Sequence, residues 1–410
     1  MNIYSLIAAV NAPNDLWNSL ISLLQGGIGN IGWAILVLTL LVKLVTSPLD
    51  FMVKYTTKKQ MLMQQKLAPQ IAKLQKKFGS DQQTLRIQTN ALYKREGFNV
   101  GSGCLIMLIN LVLTCTIFFS FYGSLRTISA YQAINQYELT YEAYEKSFAT
   151  YVQEQNPDNI TDFSYEAALD LSKQYDEAME YIQKEENSSQ PDFAEKTNFV
   201  AKYREVMEDA TDYASPIALE VWNNNKSSWL WIQNIWVADA PQNTFPTYEE
   251  LKSSAANAGG YYNDYVANNV NQKQYTAISN LINSKTNTQN GYYILAILAG
   301  VITYLSTMIS ELHNKLKNKK ASALADKANT QQAGSMKMMK IIMPIIMIMF
   351  VLSSSASFGI YLLASNIAGI ALGEIINLLV NKLTKKKRIE VEEYLEKEAD
   401  RLIRKGKLQG

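Results

Sequence analysis

One run of twenty residues limits what this chain can be: GWAILVLTLLVKLVTSPLDF, from Gly32 to Phe51. It is long and apolar enough to cross a bilayer, and Lys43 is the one charge in it ahead of Pro48. A cation at that depth costs roughly 2.5–3.5 kcal/mol on insertion scales, so it needs a partner, a wet cavity or an escape to the headgroups. Thr39, Lys43, Thr46 and Ser47 stand at i−4, i, i+3 and i+4, a polar stripe along a greasy helix. The stripe fits a wet groove. Snorkelling of the lysine stem to the nearby headgroups fits the same residues.

Averages hide this pattern. The chain is 48% hydrophobic and only 19% charged. The residues are nevertheless segregated into very apolar and very polar blocks, and the apolar blocks decide the class. Cys104 and Cys115 fall in one apolar run with no metal or redox spacing. The single histidine, His313, sits in what reads as a charged, exposed loop, so histidine-based metal chemistry is not expected. The opening MNIYSLIAAV lacks the basic flank of a cleavable signal.

Taken in order, residues 1–27 hold an amphipathic helix, NDLWNSLISLLQ, suited to a membrane surface. Gly26, Gly27 and Gly29 read as a flexible bend, and a first span covers 28–50. Residues 51–101 form a basic helical hairpin. Between 52 and 100 it has ten basic residues against Asp81 and Glu96, a bend expected at Pro69, and a capping box of Ser80 with Gln83 opening its second arm. A second span covers 102–125, with Asn110 and Thr114 as an i, i+4 pair. The insert at 126–290 has 24 acidic and ten basic residues between 127 and 290, and reads as helical in parts. Near its end SSWLWIQNIW sets three tryptophans around Asn234, as an interfacial belt would. Further spans follow at 291–310, with Thr303 on its polar face, 338–353, and 357–381, with Asn366 and Glu374. A basic loop, 311–337, and a basic tail, 382–410, complete the chain. Gly369 and Gly373 form a GxxxG pair that predicts close helix packing. Basic segments stay in the cytoplasm, so five spans with the N-terminus outside and the C-terminus inside satisfy every loop. The expected fold is all-α: a polytopic membrane protein with five transmembrane helices, a cytoplasmic hairpin and a helical extracytoplasmic insert.

These pieces, in this order, resemble the YidC/Oxa1/Alb3 family of membrane protein insertases. The resemblance rests on VKLVTSPL, LAPQIAKLQKKFGSD, EGFNVGSGCLIMLIN, WLWIQNIWVADAP, MKMMKIIMPIIM and GIYLLASN. Each motif is weakly specific alone, and together they cover about 220 of the 410 residues. Lys43 stands where the family usually has arginine, Ile106 replaces a proline and Asn110 a glutamine, and Ser355 and Ser357 stand where proline and glycine are common. The insert is longer than in five-span relatives by more than a hundred residues, and the family says nothing about it.

The resemblance implies a positive, hydrated groove open to the cytoplasm, through which short hydrophilic segments of nascent membrane proteins pass while their apolar helices enter lipid. Its implied lining is Lys43, Thr39, Ser47, Asn110, Thr114, Thr303, Asn366 and Glu374. Implied partners are nascent membrane proteins, the ribosome, the signal recognition particle pathway, the Sec translocon and membrane lipids. The partner of the insert is unknown. No cofactor, metal or catalytic residue is called for, since no covalent step is needed. Lys385, Lys386, Lys387 and Arg388 would touch ribosomal RNA or anionic lipid, or simply set topology. Lys43 and Glu374, at matched distances from the ends of their apolar runs, would relieve each other by pairing, and Glu374 snorkelling or meeting another basic residue near the inner interface fits the same residues. Two other functions stay open: a solute or ion transporter using Lys43 and Glu374, and an envelope scaffold built on 127–290.

Overall fold

A computed structural model describes residues 10–97, 100–286, 288–318 and 330–404. The readings for the first nine residues, for 319–329 of the basic loop and for 405–410 lie outside them. Two compact units share the chain: Leu16–Ser124 with the residues from Tyr293 onward, and an insert unit of Leu125–Tyr292 with the described residues up to Asp15.

In the first unit, α1 (Leu16–Ile28) meets α2 (Ile31–Phe78) at Gly29, whose φ of 79° suits glycine, and Asn30. Asn30 caps α2, its Oδ1 accepting from Gly32 N at 3.0 Å and Trp33 N at 3.3 Å. Gly26 and Gly27 are helical, so the bend is confined to one residue. α2 then runs 48 residues without a break, carrying the first span and the first arm of the hairpin through both Pro48 and Pro69. Pro48 has no N–H for the Leu44 carbonyl, and Ser47 Oγ donates to that carbonyl at 2.8 Å instead. The second arm, α3 (Gln82–Arg95), is capped one residue later than the sequence suggests. Asp81 Oδ1 accepts from Gln83 N and Thr84 N, because a carboxylate is the stronger acceptor for the orphan amides.

α4 (Val100–Gln155) likewise passes unbroken from the second span into the insert. The remaining helices of the first unit are α10 (Ile294–Asn318), α11 (Thr330–Leu352) and α12 (Ala356–Arg404). α12 joins the fifth apolar run to the basic tail as one helix of 49 residues. His313 falls within α10 rather than a loop. Three helices are long and apolar enough to cross a membrane, those from Ile31, Leu105 and Ala356; Ile294–Ile309 and Ile341–Leu352 are shorter apolar helices. Close packing uses Gly300 and Gly359. A Cβ on Gly300 would lie 2.6 Å from Ile348 Cδ1, and one on Gly359 2.9 Å from Leu295 Cδ1. Of the GxxxG pair, Gly369 faces open space, whereas a Cβ on Gly373 would lie 3.1 Å from Lys54 Nζ of α2.

The insert unit consists of the far part of α4 with α5 (Tyr165–Gln183), α6 (Phe193–Asn225), α7 (Tyr248–Ala258), α8 (Gly260–Asn269) and α9 (Gln272–Thr286). Trp222, Phe245 and Tyr275 are fully buried at its centre, with Trp222 and Phe245 4.6 Å apart. The tryptophan-rich segment is part of this interior. Trp229 and Trp236 are 4% and 5% exposed, which removes both from a membrane-interface belt. Asn234 and Asn290 explain why. Asn290 accepts from Asn234 N at 2.8 Å and donates to the carbonyls of Asn234 (3.1 Å) and Ala238 (2.7 Å). Asn234 donates to Gln136 Oε1 and the Thr244 carbonyl and accepts from Trp236 N. One residue on, Gly291 lies so near Asp239 that a Cβ would sit 2.0 Å from its Oδ1. A loop with no regular ladder thus has its backbone groups satisfied by buried amides.

Candidate functional site

The site is set by how α2 lies on α12. Lys54 Nζ donates to the Gly373 carbonyl at 2.9 Å, Gln70 Nε2 donates to Tyr394 Oη at 3.2 Å, and Lys73 pairs with Glu398. The sequence separations of these pairs are 319, 324 and 325, so the two helices run parallel and nearly in register. The tail is therefore docked along the hairpin.

Around Lys54 the sequence assembles a polar cluster. Glu374 and Asp50 both act on its ammonium. Asn377 Nδ2 donates to Glu374 Oε1 at 3.3 Å, and Asn110 Nδ2 on α4 donates to Asp50 Oδ1 at 3.4 Å. Two carboxylates, one ammonium and two amides thus meet between α2, α4 and α12. A charge network of this kind lowers the cost of each member at membrane depth.

The lysine beside Glu374 is Lys54, eleven residues beyond Lys43. Both depths were measured from the ends of apolar runs, and neither helix ends there. With a register offset of 319, Lys43 is level with the Tyr361–Leu362 turn, about 18 Å along α12 from Glu374. Lys43 is half-buried and forms no ion pair among the described residues. Eleven residues make three helical turns to within about 20°, so Lys43, Asp50 and Lys54 share one face of α2. That spacing, followed past Pro48, is the signal that would have found Asp50 and Lys54.

The hydroxyls of the stripe turn back on their own helix. Thr39 Oγ1 donates to the Ile35 carbonyl at 2.7 Å, Thr46 Oγ1 to that of Lys43 at 3.2 Å, and Ser47 serves Leu44. Thr39 is buried. Thr303 bonds the Ala299 carbonyl and accepts from Asn366 Nδ2 at 3.4 Å, joining α10 to α12. Thr114 is exposed one turn from Asn110.

The aromatic contacts of α4 with its bundle lie at one end. Where it enters the insert, Phe118, Phe121 and Tyr122 meet Phe350 of α11 and Phe358 and Tyr361 of α12. The tightest ring pairs, Phe121–Tyr361 and Tyr122–Phe358, lie 4.6 Å apart. Trp17 of α1 adds an edge contact to Phe121 and donates to Ser120 Oγ at 2.8 Å. Three turns away nothing comparable exists. Leu105, Met107, Leu108, Ile109, Leu111 and Val112 are each at least half exposed. Ile106, Asn110, Leu113 and Ile117, at i, i+4, i+7 and i+11, form the half-buried face, and from it Asn110 reaches Asp50.

In the tail Lys385 and Lys386 are exposed, while Lys387 and Arg388 are half-buried. Arg388 is 3.8 Å from Glu392. Burial, with Lys59 and Lys66 nearby, lowers the Lys387 ammonium from its usual range, so positive charge is concentrated where tail and hairpin meet. Among the described residues no group of three or more histidine, cysteine or acidic side chains could hold a metal ion.

The matching family model is that of the 60Kd inner membrane protein, over residues 23–243 and 199–385. Among curated relatives, the membrane protein insertase YidC of Roseobacter denitrificans is 38% identical over 103 residues, 25% of this chain and 16% of that one. The protein of the same name from Buchnera aphidicola is 34% identical over 105 residues, 26% of this chain and 19% of its own. That from Fusobacterium nucleatum is 34% identical over 100 residues, 24% of this chain and 45% of its own. The chain thus matches less than half the length of each of these relatives. No solved structure matches it. The family model takes in the two helices that build the polar cluster, the aromatic closure and the insert between them, and the chain belongs to the 60Kd inner membrane protein family.

Proposed function

We propose that the chain is a membrane protein insertase, working with the hairpin in the cytoplasm and the insert outside. Clients would enter a cleft beside α4 from the hairpin side. The observation that carries this reading is the cluster of Asp50, Lys54, Asn110 and Glu374 beside an α4 whose other faces from Leu105 to Val112 are largely exposed, with an aromatic closure at its far end. A polar segment entering there keeps its hydration over part of the bilayer, which shortens the apolar barrier left to cross. The client's apolar helix leaves sideways into lipid, driven by the same partitioning that places any transmembrane helix. Lys43, at the level of the aromatic closure, would meet carboxylates of the translocated segment at the deepest point they reach. No bond is made or broken. The ribosome, the signal recognition particle pathway and the Sec translocon belong to this proposal as delivery partners, and Lys385–Arg388 as a polyanion contact.

The test is reconstituted insertion of a single-span client with an acidic translocated tail. A carboxylate about 7 Å from an ammonium at an effective dielectric of about 20 gains about 2 kcal/mol. Lys43→Leu should therefore slow insertion by up to about thirtyfold, and Lys43→Arg should keep it. Normal insertion by Lys43→Leu would leave the ammonium a snorkelling group and remove the positive groove from the mechanism.

A further inference from the structure

The insert unit contains a half-open cleft of about 1160 Å³ between α4, α5, α6 and α9. On α5 its lining extends from Leu169 to Gln183, a rise of about 21 Å, the length of about six extended residues. The volume exceeds the roughly 300–1,000 Å³ of small-molecule sites, and the shape is that of a trough.

The trough has two kinds of wall. Tyr141, Tyr144 and Phe148 of α4, with Tyr175, Met207 and Ile278, supply aromatic and aliphatic surface. Six carboxylates line it against two lysines, Lys173 and Lys273, and Lys273 is already paired with Glu180. Glu145 accepts from Tyr141 Oη at 2.8 Å, which fixes one carboxylate against the ring wall. Asp176 is the more telling group. Its side chain is exposed to solvent within the trough, and partial desolvation by the trough walls pushes its carboxyl above the usual range. A concave, negative surface interleaved with tyrosine faces favours ammonium or guanidinium groups carried on apolar stems.

We propose that this trough binds a short basic peptide segment of about six residues, its lysines or arginines on Asp176 and Glu145 and its apolar side chains among Tyr141, Tyr144 and Met207. The site is separate from the membrane cleft, so it stands whether or not the insertase reading does.

The experiment uses the full chain in nanodiscs of neutral phosphatidylcholine, with empty nanodiscs as the blank. The probe is a fluorescein-labelled hexapeptide alternating lysine and leucine, followed by anisotropy. Saturable binding is expected, absent for the hexapeptide alternating glutamate and leucine. The near-isosteric double variant Asp176→Asn/Glu145→Gln should weaken it at least tenfold, and Ala277→Trp, which fills the trough, should abolish it. Should Ala277→Trp fail to fold, the double variant alone decides. Equal binding to wild type and double variant, or to wild type and a folded Ala277→Trp, would overturn the proposal. So would full displacement of the peptide by an equal concentration of spermidine, which would make this a small-cation site.

Discussion

Asn290 ties the last residues of the insert to its tryptophan-rich loop, and replacing it with leucine puts a number on that role. The side chain is fully buried and serves three backbone groups: Asn234 N and the carbonyls of Asn234 and Ala238. At about 1–2 kcal/mol each, the lower part of the range for an orphaned buried polar group, losing all three costs about 3–6 kcal/mol. The leucine returns about 1–2 kcal/mol through its own burial, leaving a net loss of about 2–4 kcal/mol. Hydrogen exchange of the Asn234 and Trp236 amides reads this directly. Their local opening should become about 30- to 1,000-fold more frequent in Asn290→Leu. The pair Asn234→Leu/Asn290→Leu should cost less than the sum of the single changes, because both act in one network. A change in opening of less than about fivefold, or strict additivity, would refute the claim that these amides hold the loop. The membrane cleft lies in the other unit, so insertion of a single-span client should persist in Asn290→Leu.

Two further outcomes follow from the charges. Lys54→Met removes the ammonium from Gly373 O and leaves Asp50 and Glu374 without it, so thermal unfolding in detergent should shift by the equivalent of about 1–2 kcal/mol; adding Glu374→Gln should recover part of the loss, and no recovery would dissolve the cluster. In the insert, desolvation raises the carboxyls of Asp176 and Glu138, the latter against the hydrogen bond from Tyr265. A raised carboxyl stabilises the fold below the ordinary carboxylate range and loses that contribution as pH rises through its folded value, so the insert should gain stability from neutrality down toward about pH 4. Asp158, lowered by hydrogen bonds from Lys202 and Tyr203, acts oppositely and only below that range. Asp176→Asn should flatten the slope, and a pH-independent melting temperature of the insert would contradict the desolvation of both groups.

Much of the fold was legible because apolar periodicity and charge blocks are local signals. The spans, the basic hairpin and the helical character of the insert are all written in runs of ten to twenty residues. The site was only half legible. Pro48 reads as a span end because proline lacks a donor, but Ser47 makes good the lost bond and the helix goes on. Stopping at Pro48 hides Asp50 and Lys54, the groups that stand with Glu374 at Gly373. The hydroxyls of Thr39, Thr46 and Ser47 look like a groove lining, yet each has a carbonyl three or four residues back that takes its proton. Asn234 and Asn290 are 56 residues apart, and no local pattern marks them as partners. The tryptophans beside Asn234 follow it into the interior for the same reason.

The unbroken length of α2 and α12 has a mechanical meaning. At 1.5 Å per residue, 48 and 49 residues make rods of about 72 and 74 Å, cross-tied at Lys54–Gly373, Gln70–Tyr394 and Lys73–Glu398. Parallel rods tied at several points tilt as one beam. A lean of about 5° at the end nearest the aromatic closure sweeps the far end through about 6 Å, more than a full helical pitch. An object wedged beside α4, as the insertase proposal requires, would thus be felt at the tip of the hairpin without any helix unwinding, as a displacement of the Phe78 end.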